Sequence, residues 1–293
     1  MISVFGSSGF IGTRFCQLYS NDVYKIDRND YVPKSSDVLY LISTIHNYNV
    51  FDNPHLDINT NLNVLINVLE NCKNKDIVFN FISSWFVYGK ADTLPATEES
   101  HCNPKGFYSI TKRAAEQLII SYCETFNIKY RIFRLANVYG ESDPSVSKRK
   151  NALQYLINEI INNRDINLYD GGKHIRDFIY IDDVCNAIKL CTEKADINSI
   201  INIGNGRPYQ FLDLMTYVNE KVNSKTNFIH VKPTNFHNIV QVKNMYLDIS
   251  KLKNLGFKPK YSIEQGLDKI IEHYQLKLGE FRWNTLFGDT KTQ

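Results

Sequence analysis

The first sixteen residues, MISVFGSSGFIGTRFC, decide the fold class of this chain. A short apolar run at residues 2–5 ends in a glycine-rich turn, and apolar residues at helical spacing follow. Such a turn lets a helix pack closely on a strand and lets backbone approach a pyrophosphate, which the helix N-terminus attracts. An ordinary strand–turn–helix is the less favoured interpretation. The cofactor contacts predicted here are Gly6, Ser8, Gly9, Phe10, Ile11 and Gly12.

An acidic residue ends the next apolar run. Asp27 closes residues 23–27, where a carboxylate can accept hydrogen bonds from the adenosine ribose hydroxyls. Asp27 would repel the 2′-phosphate of NADP, which favours NAD as the cofactor. Arg28 could instead bind that phosphate, so NADP stays open.

Composition excludes several classes of protein. The 293 residues are 43% hydrophobic and 22% charged, as in soluble globular proteins. A formal charge of +3 gives no support for a nucleic-acid partner, and no apolar run is long enough to span a membrane. No secretory signal is visible, the six cysteines show no C-x-x-C spacing, and the histidines show no metal-ligand spacing. We expect a cytoplasmic protein without a metal.

Strand-like and helix-like segments alternate along the chain, which indicates an α/β fold with a doubly wound parallel sheet. The helix candidates are 57–72, 108–125, 183–194 and 262–278. The strand candidates are 1–5, 23–27, 37–44, 76–83, 129–136, 177–182 and 199–204.

The segment between the second and third strands is unusually short. Only residues 28–36 lie there, too few for the strand and helix that a Rossmann half usually has, so we expect one edge β-α unit to be deleted. The turn-rich stretch after Gly140 predicts a domain change. We expect a Rossmann domain at 1–140 plus about 177–205, and a smaller substrate domain at 141–176 plus about 206–293.

A tyrosine and a lysine four residues apart are the candidate proton-transfer groups. Tyr108 and Lys112 would share a helix face, where the ammonium would lower the pKa of the phenol from its usual value of about 10. Tyr108 would then serve as a general acid/base. The spacing alone is weak evidence, because Tyr169/Lys173 and Tyr217/Lys221 share it. Only the first pair follows a serine at a strand end, Ser84, and such ends bind ligands in open α/β sheets.

Taken in order, the motifs resemble those of the extended short-chain dehydrogenase/reductase family, in particular its nucleotide-sugar epimerase/dehydratase group. The matches cover most of the chain, although most are weak singly. They are Gly6-x-x-Gly9-x-x-Gly12, Asp27, Asn61, Ser83-Ser84-x-x-Val-Tyr-Gly89, Tyr108-x-x-x-Lys112, Arg134-Leu-Ala-Asn137-Val-Tyr-Gly140, Arg176-Asp-Phe-Ile-Tyr-Ile-Asp-Asp183, Asn202-x-Gly204-x-Gly206 and Asp248-x-Ser-Lys-x-x-x-x-Leu255-Gly-Phe-x-Pro259.

The resemblance implies a role for each site residue. Ser84 would bind the reacting sugar oxygen, Tyr108 would exchange its proton, and Lys112 would hold the nicotinamide ribose. Asn61 would belong to the cofactor site. Asn137 and Arg176 would face the nucleotide-sugar, with Arg176 clamping its diphosphate; an ion pair with Asp177 or Asp182 is the alternative for that arginine. The family's homodimers, built on two helices, imply a homodimer here through 57–72 and 108–125.

Two departures from the family pattern limit the reaction. Dehydratases of the group carry an Asp-Glu pair where this chain has Trp85 and Phe86, which disfavours dehydration. A late arginine expected about ten residues before Asp248 is replaced around His237 and Asn238. The interpretation we favour is a nucleotide-sugar 4-epimerase of cell-surface polysaccharide biosynthesis. An NAD(P)H-dependent 4-ketoreductase of a 4-keto-6-deoxy sugar is the first alternative, and a non-catalytic nucleotide-binding member is the second.

Overall fold

The computed structural model describes residues 1–141, 143, 146, 147 and 150–287, with side chains described as far as residue 277. Contacts divide the chain into two compact units. The first comprises Met1–Val138, Ile175–Tyr209 and Pro233–Lys260, and the second comprises Tyr139–His174, Gln210–Lys232 and the described chain from Tyr261 onward.

The strands are short and mostly buried. In chain order they are β1 (Ile2–Phe5), β2 (Val23–Lys25), β3 (Asp37–Tyr40), β4 (Val78–Ser84), β5 (Lys129–Leu135), β6 (Asn137–Tyr139), β7 (Ile166–Tyr169), β8 (Ile175–Arg176), β9 (Phe178–Tyr180), β10 (Ser199–Ile203), β11 (Tyr209–Gln210), β12 (Phe228–Val231) and β13 (Asn244–Met245).

The helices lie between strands along most of the chain. They are α1 (Phe10–Leu18), α2 (Asn49–Asp52), α3 (His55–Ile58), α4 (Val64–Cys72), α5 (Phe107–Thr125), α6 (Ala152–Ile161), α7 (Ile181–Lys194), α8 (Phe211–Lys221), α9 (Asn235–Val240), α10 (Ser250–Asn254) and α11 (Ile263–Phe287). A π-helical turn at Asn59–Asn63 joins α3 to α4, and 3₁₀ turns cover Trp85–Tyr88 and Asp170–Gly172.

Six parallel strands form the main sheet in the order β10-β5-β4-β3-β1-β2. This confirms the predicted α/β class with a parallel sheet. One strand candidate, 177–182, lies outside that sheet: its first part forms β9 and Ile181 already begins α7. An apolar run of that length cannot by itself distinguish a strand from a buried helix start.

The edge of the sheet at β2 bears on the predicted deletion. Within the described residues no strand pairs with the outer side of β2, and residues 26–36 lead back across β1 to β3. The Ser3 hydroxyl holds this crossing segment, because it lies 2.7 Å from Ser35 Oγ and accepts from Lys34 N at 2.9 Å. That a unit has been lost stays a prediction, since a loss is defined only against relatives.

A large apolar core lies between the sheet and the helices α4 and α5. Leu65 and Ile119 are fully buried there against Tyr40 and Phe79. Burial on this scale fixes α5 against β4 and β5, which is what places its N-terminal residues at the carboxyl end of β4.

The second unit is smaller. A two-stranded parallel ribbon of β7 and β12 carries α6 and α8, and α11 packs on α6. The sequence expectation put all of 206–293 in the substrate domain, whereas the structure groups 233–260 with the main sheet. The reason is a pair of backbone hydrogen bonds between segments that are far apart in the sequence. Ala96 N donates to Tyr246 O at 2.9 Å, and Ala96 O accepts from Asp248 N at 2.8 Å.

Candidate active site

The glycine-rich turn has the geometry of a phosphate cradle. Gly6 has a φ of +82°, and a Cβ at Gly12 would lie 2.2 Å from Gly6 O, so this contact tolerates only glycine. Gly9 begins α1 without a side-chain cap. The first amides of α1 therefore lack both intrahelical acceptors and a capping side chain, which leaves them available to an anion. These residues fit a dinucleotide pyrophosphate.

The acid and base predicted to select the cofactor lie in a different environment. Asp27 and Arg28 follow the edge strand β2, and both are exposed. The backbone N–H of Ile26 donates to Val4 O at 3.1 Å, which keeps this end aligned with β1. The structure therefore places both side chains beside the edge of the sheet and gives no preference between NAD and NADP.

The structure brings Ser84, Tyr108 and Lys112 together where β4 ends and α5 begins. All three are buried, at 8%, 8% and 3% exposure. Ser84 is close enough to Tyr108 to act on its phenol as a hydrogen-bonding neighbour, which lowers the pKa of that phenol. Lys112 Nζ donates to Ile82 O and lies 4.2 Å from the ring centre of Phe81. A phenol, a hydroxyl and an amine at one strand end form a set that can move a proton.

The protonation of this set differs from the sequence expectation. Burial raises the pKa of Tyr108 to about 12, although the bond from Ser84 acts in the opposite direction. Burial lowers the pKa of Lys112 to about 7, against the attraction of Glu116. The expected lowering of the Tyr108 pKa is therefore not found in this arrangement, because burial raises that pKa and Lys112 Nζ is directed to Ile82 O.

The N-terminus of α5 is held by the loop that follows β3. Asn47 Oδ1 accepts from Ser109 N at 3.2 Å, and a Cβ on Gly106 would lie 2.1 Å from that same oxygen. The first turn of α5, which carries Tyr108, is therefore tied to the third strand as well as to the fourth.

Asn61 has a structural setting that the sequence did not reveal. Its Oδ1 accepts from Thr44 N at 2.8 Å and from Ser43 Oγ at 3.1 Å. Its Nδ2 donates to Thr44 Oγ1 and Thr111 Oγ1, each at 2.8 Å. Its amide thus joins the end of β3 to the helix that carries Tyr108, and its predicted contact with the cofactor stays a prediction.

A buried ion pair lies behind the proton-transfer groups. Arg134 donates to Glu116 through Nε at 3.0 Å and through Nη2 at 2.8 Å, while Ser83 Oγ donates to Glu116 at 2.6 Å. Burial opposes ionisation, but the Arg134 bonds outweigh it and hold the pKa of Glu116 below its usual value. Such bidentate, charge-assisted bonds fix α5 against β4 and β5.

The predicted substrate residues meet around Trp85. Its Nε1 donates to Asn137 Oδ1 at 3.2 Å, and the Arg176 guanidinium lies 5.3 Å from its ring. Phe86 stacks on Trp85 at 3.9 Å and points its edge at Tyr108, with centroids 6.0 Å apart. A continuous aromatic surface therefore runs from Asn137 and Arg176 to the phenol.

Arg176 is buried at 9% exposure and donates to two carbonyls, Ile175 O at 2.8 Å and Lys243 O at 3.0 Å. Burial lowers the pKa of this arginine to about 10. The alternative ion pairs are not formed in the described residues: Asp182 binds Arg14, and Asp177 accepts backbone N–H groups. Both bonds use Nη1, so the rest of the Arg176 guanidinium can still bind an anionic ligand.

The two other tyrosine–lysine pairs are placed elsewhere. Tyr217 and Lys221 both donate to Asp268, at 2.8 and 2.9 Å, within the second unit. Between Tyr169 and Lys173, Gly171 has a φ of +64°, so no regular helix joins them. Neither pair has a serine at a strand end of the main sheet.

Four residues of this site were missed by the sequence reasoning. Their side chains act through contacts with residues that are distant in sequence, and only two of the four lie in the polar run at 43–49. They are Thr44, Asn47, Asp57 and Glu116.

Comparisons with known proteins agree with this geometry. The model of the NAD dependent epimerase/dehydratase family matches residues 32–204. The Methanocaldococcus jannaschii protein named "Putative UDP-glucose 4-epimerase" is 27% identical, over 92% of this chain and 97% of its own. The Haloferax volcanii low-salt glycan biosynthesis protein Agl12 is 29% identical, over 74% of this chain and 68% of its own.

Among solved structures, a Thermotoga maritima UDP-glucose 4-epimerase with UDP-glucose superposes with a TM-score of 0.84 at 24% identity. It covers 94% of this chain and 99% of the other. This likeness shows the Rossmann fold. In the described residues, no helix is long and apolar enough to cross a membrane.

Proposed function

We propose that this chain, which belongs to the NAD-dependent epimerase/dehydratase family, carries out redox chemistry at C4 of a nucleotide-activated sugar and acts as a 4-epimerase. The observation that carries the proposal is the buried set of Ser84, Tyr108 and Lys112 at the end of β4. A nicotinamide cofactor, which the family uses, would exchange a hydride with the sugar carbon.

The chain's own residues supply binding and proton transfer. Ser84 would hold the C4 oxygen, and Tyr108 would take its proton on oxidation and return it on reduction. The glycine turn would hold the cofactor pyrophosphate, and Lys112 the nicotinamide ribose. Arg176 would bind the diphosphate of the substrate, with its guanidinium oriented on the Trp85 ring. Asn137 would contact the same ligand.

One observation favours the alternative 4-ketoreductase. With a pKa raised to about 12 by burial, Tyr108 keeps its proton at neutral pH. A protonated phenol is the form that donates to a carbonyl oxygen, as a reductase needs in every turnover. An epimerase must in addition take the proton of the C4 hydroxyl in its first half, which needs the deprotonated phenol.

Both reactions leave the C6 substituent intact. Elimination of water from C6 needs a carboxylic acid beside the sugar, and the aromatic rings of Trp85 and Phe86 lie next to Tyr108 instead. A phenyl ring has no acidic proton, and the indole N–H of Trp85 is far too weak an acid to protonate a leaving hydroxyl and already donates to Asn137, so dehydration is not part of the proposal.

The test supplies purified protein with a panel of nucleotide hexoses and NAD, and follows the products by NMR. Inversion at C4 supports the epimerase. Consumption of NADH or NADPH only with a 4-keto-6-deoxy sugar supports the ketoreductase. Accumulation of a 4-keto-6-deoxy sugar, or absence of any turnover with the panel, would overturn the proposal; absence of turnover together with tight nicotinamide binding would favour the non-catalytic alternative.

We also infer a homodimer. The outer side of α5 exposes Phe107, Ile110 and Leu118 at 41%, 46% and 39%, at helical spacing, and Ile58 on α3 is 39% exposed. A row of exposed apolar side chains is a typical contact surface for a second helix pair. Light scattering at micromolar concentration should give the mass of a dimer, and a monomer mass would refute the inference.

A further inference from the structure

One aromatic side chain at the end of β4 differs from its neighbours in exposure. Every residue of the stretch 79–89 is buried except Phe86, which is half-buried. The Phe86 ring lies nearly perpendicular to the ring of Tyr108, with centroids 6.0 Å apart. Its backbone N–H donates to Ser84 Oγ at 3.3 Å. Phe86 is therefore fixed beside the two groups to which the proposed function assigns the C4 oxygen of the sugar.

The Phe86 ring is also held by its neighbour in the chain. Trp85 stacks on it at 3.9 Å, with 22° between the two ring planes. Trp85 is itself only 2% exposed, and its indole N–H donates to Asn137 Oδ1 at 3.2 Å. The 3₁₀ turn that carries both rings begins directly after Ser84, whose side chain caps it. Moving the Phe86 ring would disrupt this stack or this cap, so the site presents an apolar surface at a fixed place.

The other polar side chains of this turn already have partners within the protein. Ser83 Oγ donates to Glu116 at 2.6 Å, and Tyr88 Oη donates to Asn202 at 2.6 Å. Both side chains are buried, and the N–H of the indole ring is bonded to an amide oxygen. In the stretch 83–88, all of which the structure describes, the Ser84 hydroxyl is the one polar side-chain group left for a ligand. A second hydroxyl of the sugar therefore finds no side-chain partner on this turn.

Sugar chemistry restricts what can lie against the Phe86 ring. The ring neighbours of C4 in a hexose are C3, which carries a polar substituent, and C5, which carries C6. Of these two flanking groups, only C6 can be apolar, as a methyl. A methyl group gains free energy by leaving water for an aromatic surface, whereas a C6 hydroxyl would lose its hydrogen bonds to water without a replacement. A C6 carboxylate would lose more, because it is charged.

We propose that Phe86 is a specificity-determining residue that contacts C6 of the sugar, and that the substrate is a nucleotide-activated 6-deoxyhexose. The proposal rests on the proposed function for the position of C4, and it applies equally to epimerisation at C4 and to reduction of a 4-keto form. Residues 85 and 86 carry no carboxylic acid, so the C6 oxygen must be removed by a preceding reaction of another enzyme.

The test compares pairs of substrates that differ only at C6. UDP-6-deoxyglucose is compared with UDP-glucose, and UDP-6-deoxygalactose with UDP-galactose, each with NAD and with NADP, and the same pairs are run as dTDP sugars. We expect kcat/KM to be higher for the 6-deoxy member by about 10–10²-fold, the range over which an apolar pocket separates ligands that differ by one hydroxyl. Equal values, or a preference for the 6-hydroxy sugar or for UDP-glucuronate, would overturn the proposal.

A second measurement on the wild-type protein does not depend on turnover. Calorimetry gives the dissociation constants of the same pairs, and the 6-deoxy member should bind more tightly. Saturation of the aromatic protons of the protein should be transferred in NMR to the C6 methyl protons of the bound sugar. A methyl group that receives no saturation while the sugar binds would contradict its contact with an aromatic ring.

Two variants assign the preference to Phe86. Phe86→Gln offers an amide to a C6 hydroxyl and should remove most of the preference, whereas Phe86→Leu stays apolar and should keep it. Phe126→Gln is the matched control, since Phe126 is half-buried, packs on Tyr122 at 4.5 Å and lies at the other end of α5; the preference should not change. A full preference in folded Phe86→Gln would overturn the assignment. If that variant does not fold, the two wild-type measurements decide.

The two proposals fail separately. If the protein inverts C4 of 6-hydroxy and 6-deoxy sugars equally well, the proposed function stands and the role of Phe86 falls. If no sugar is turned over, but the 6-deoxy sugars bind more tightly and Phe86→Gln removes that difference, the recognition of C6 stands and the proposed chemistry at C4 falls.

Discussion

The two ends of the candidate nucleotide site are built differently. At the proton-transfer end, Ser84, Tyr108 and Lys112 are buried, and polar groups from several elements hold them. At the adenosine end, Asp27 and Arg28 are exposed beside the edge strand β2. The glycine turn precedes both ends in the sequence, and its close approach of Gly12 to Gly6 O leaves no room for a Cβ.

The difference in burial between the two ends predicts where substitutions should have large effects. A buried group is surrounded by partners that cannot reach water once it is removed, so its loss costs the interaction and the desolvation of the partner. Water can replace the interactions of an exposed group, so removing that group costs little free energy. Effects should therefore decline from the end of β4 toward the edge of the sheet.

The largest effect should come from Tyr108→Phe, which removes the proton and keeps the ring. We expect turnover to fall by about 10²–10⁴-fold, the contribution typical of a general acid/base, with little change in fold. Steady-state kinetics and circular dichroism would measure both. Tyr217→Phe is the matched control because Tyr217 shares the lysine spacing but binds Asp268. Near wild-type turnover in Tyr108→Phe with an inactive Tyr217→Phe would reverse the assignment.

The next effect concerns stability. Glu116→Ala leaves Arg134 charged, buried and without its carboxylate, and should lower the free energy of unfolding by about 3–5 kcal/mol. Lys129→Ala breaks the pair of Lys129 with Asp76, in which both side chains are well exposed, and should cost at most about 1 kcal/mol. Urea unfolding of both variants measures the contrast. Equal losses would show that burial does not separate the two pairs.

Trp85→Phe tests the aromatic rings that lie beside the proton-transfer end, next to Asn137 and Arg176. It removes the Nε1–H bond to Asn137 and keeps a ring under Arg176. A neutral hydrogen bond contributes about 0.5–1.5 kcal/mol, so kcat/KM should fall by at most about tenfold. Trp85→Leu also removes the ring, so its kcat/KM should be lower still. If the two variants were equal, the ring would have no part in holding Arg176.

The smallest effect should be at the adenosine end. Asp27→Ala removes the acceptor for the ribose hydroxyls and the repulsion of a 2′-phosphate, so the preference for NAD over NADP should narrow by less than about tenfold, or 1.4 kcal/mol. Fluorescence titration with both reduced cofactors measures this preference. Arg28→Ala is the matched control and should change the preference in the opposite direction. Wild-type protein that binds NADPH tenfold more tightly would reverse the cofactor choice and favour the ketoreductase.

Much of the fold was predictable because it depends on local patterns. Glycine spacing and alternating apolar runs identified the helix that follows the glycine turn, all six strands of the main sheet to within a few residues, and the long helix over 107–125. The return of residues 233–260 to the first unit was not predictable, because the backbone bonds of Ala96 join positions about 150 residues apart.

The candidate site shows the same division. The sequence by itself determined the residue types and their order: a glycine turn, a serine at a strand end, and a tyrosine and lysine one helical turn apart. Tertiary structure decided the pKa values of those groups, because burial raises the pKa of the phenol and lowers the pKa of the lysine. It also brought Glu116 into its ion pair with Arg134 and Asp57 to the hydroxyl of Thr44. Desolvation and charge depend on everything packed around a group, and only the folded chain sets that environment.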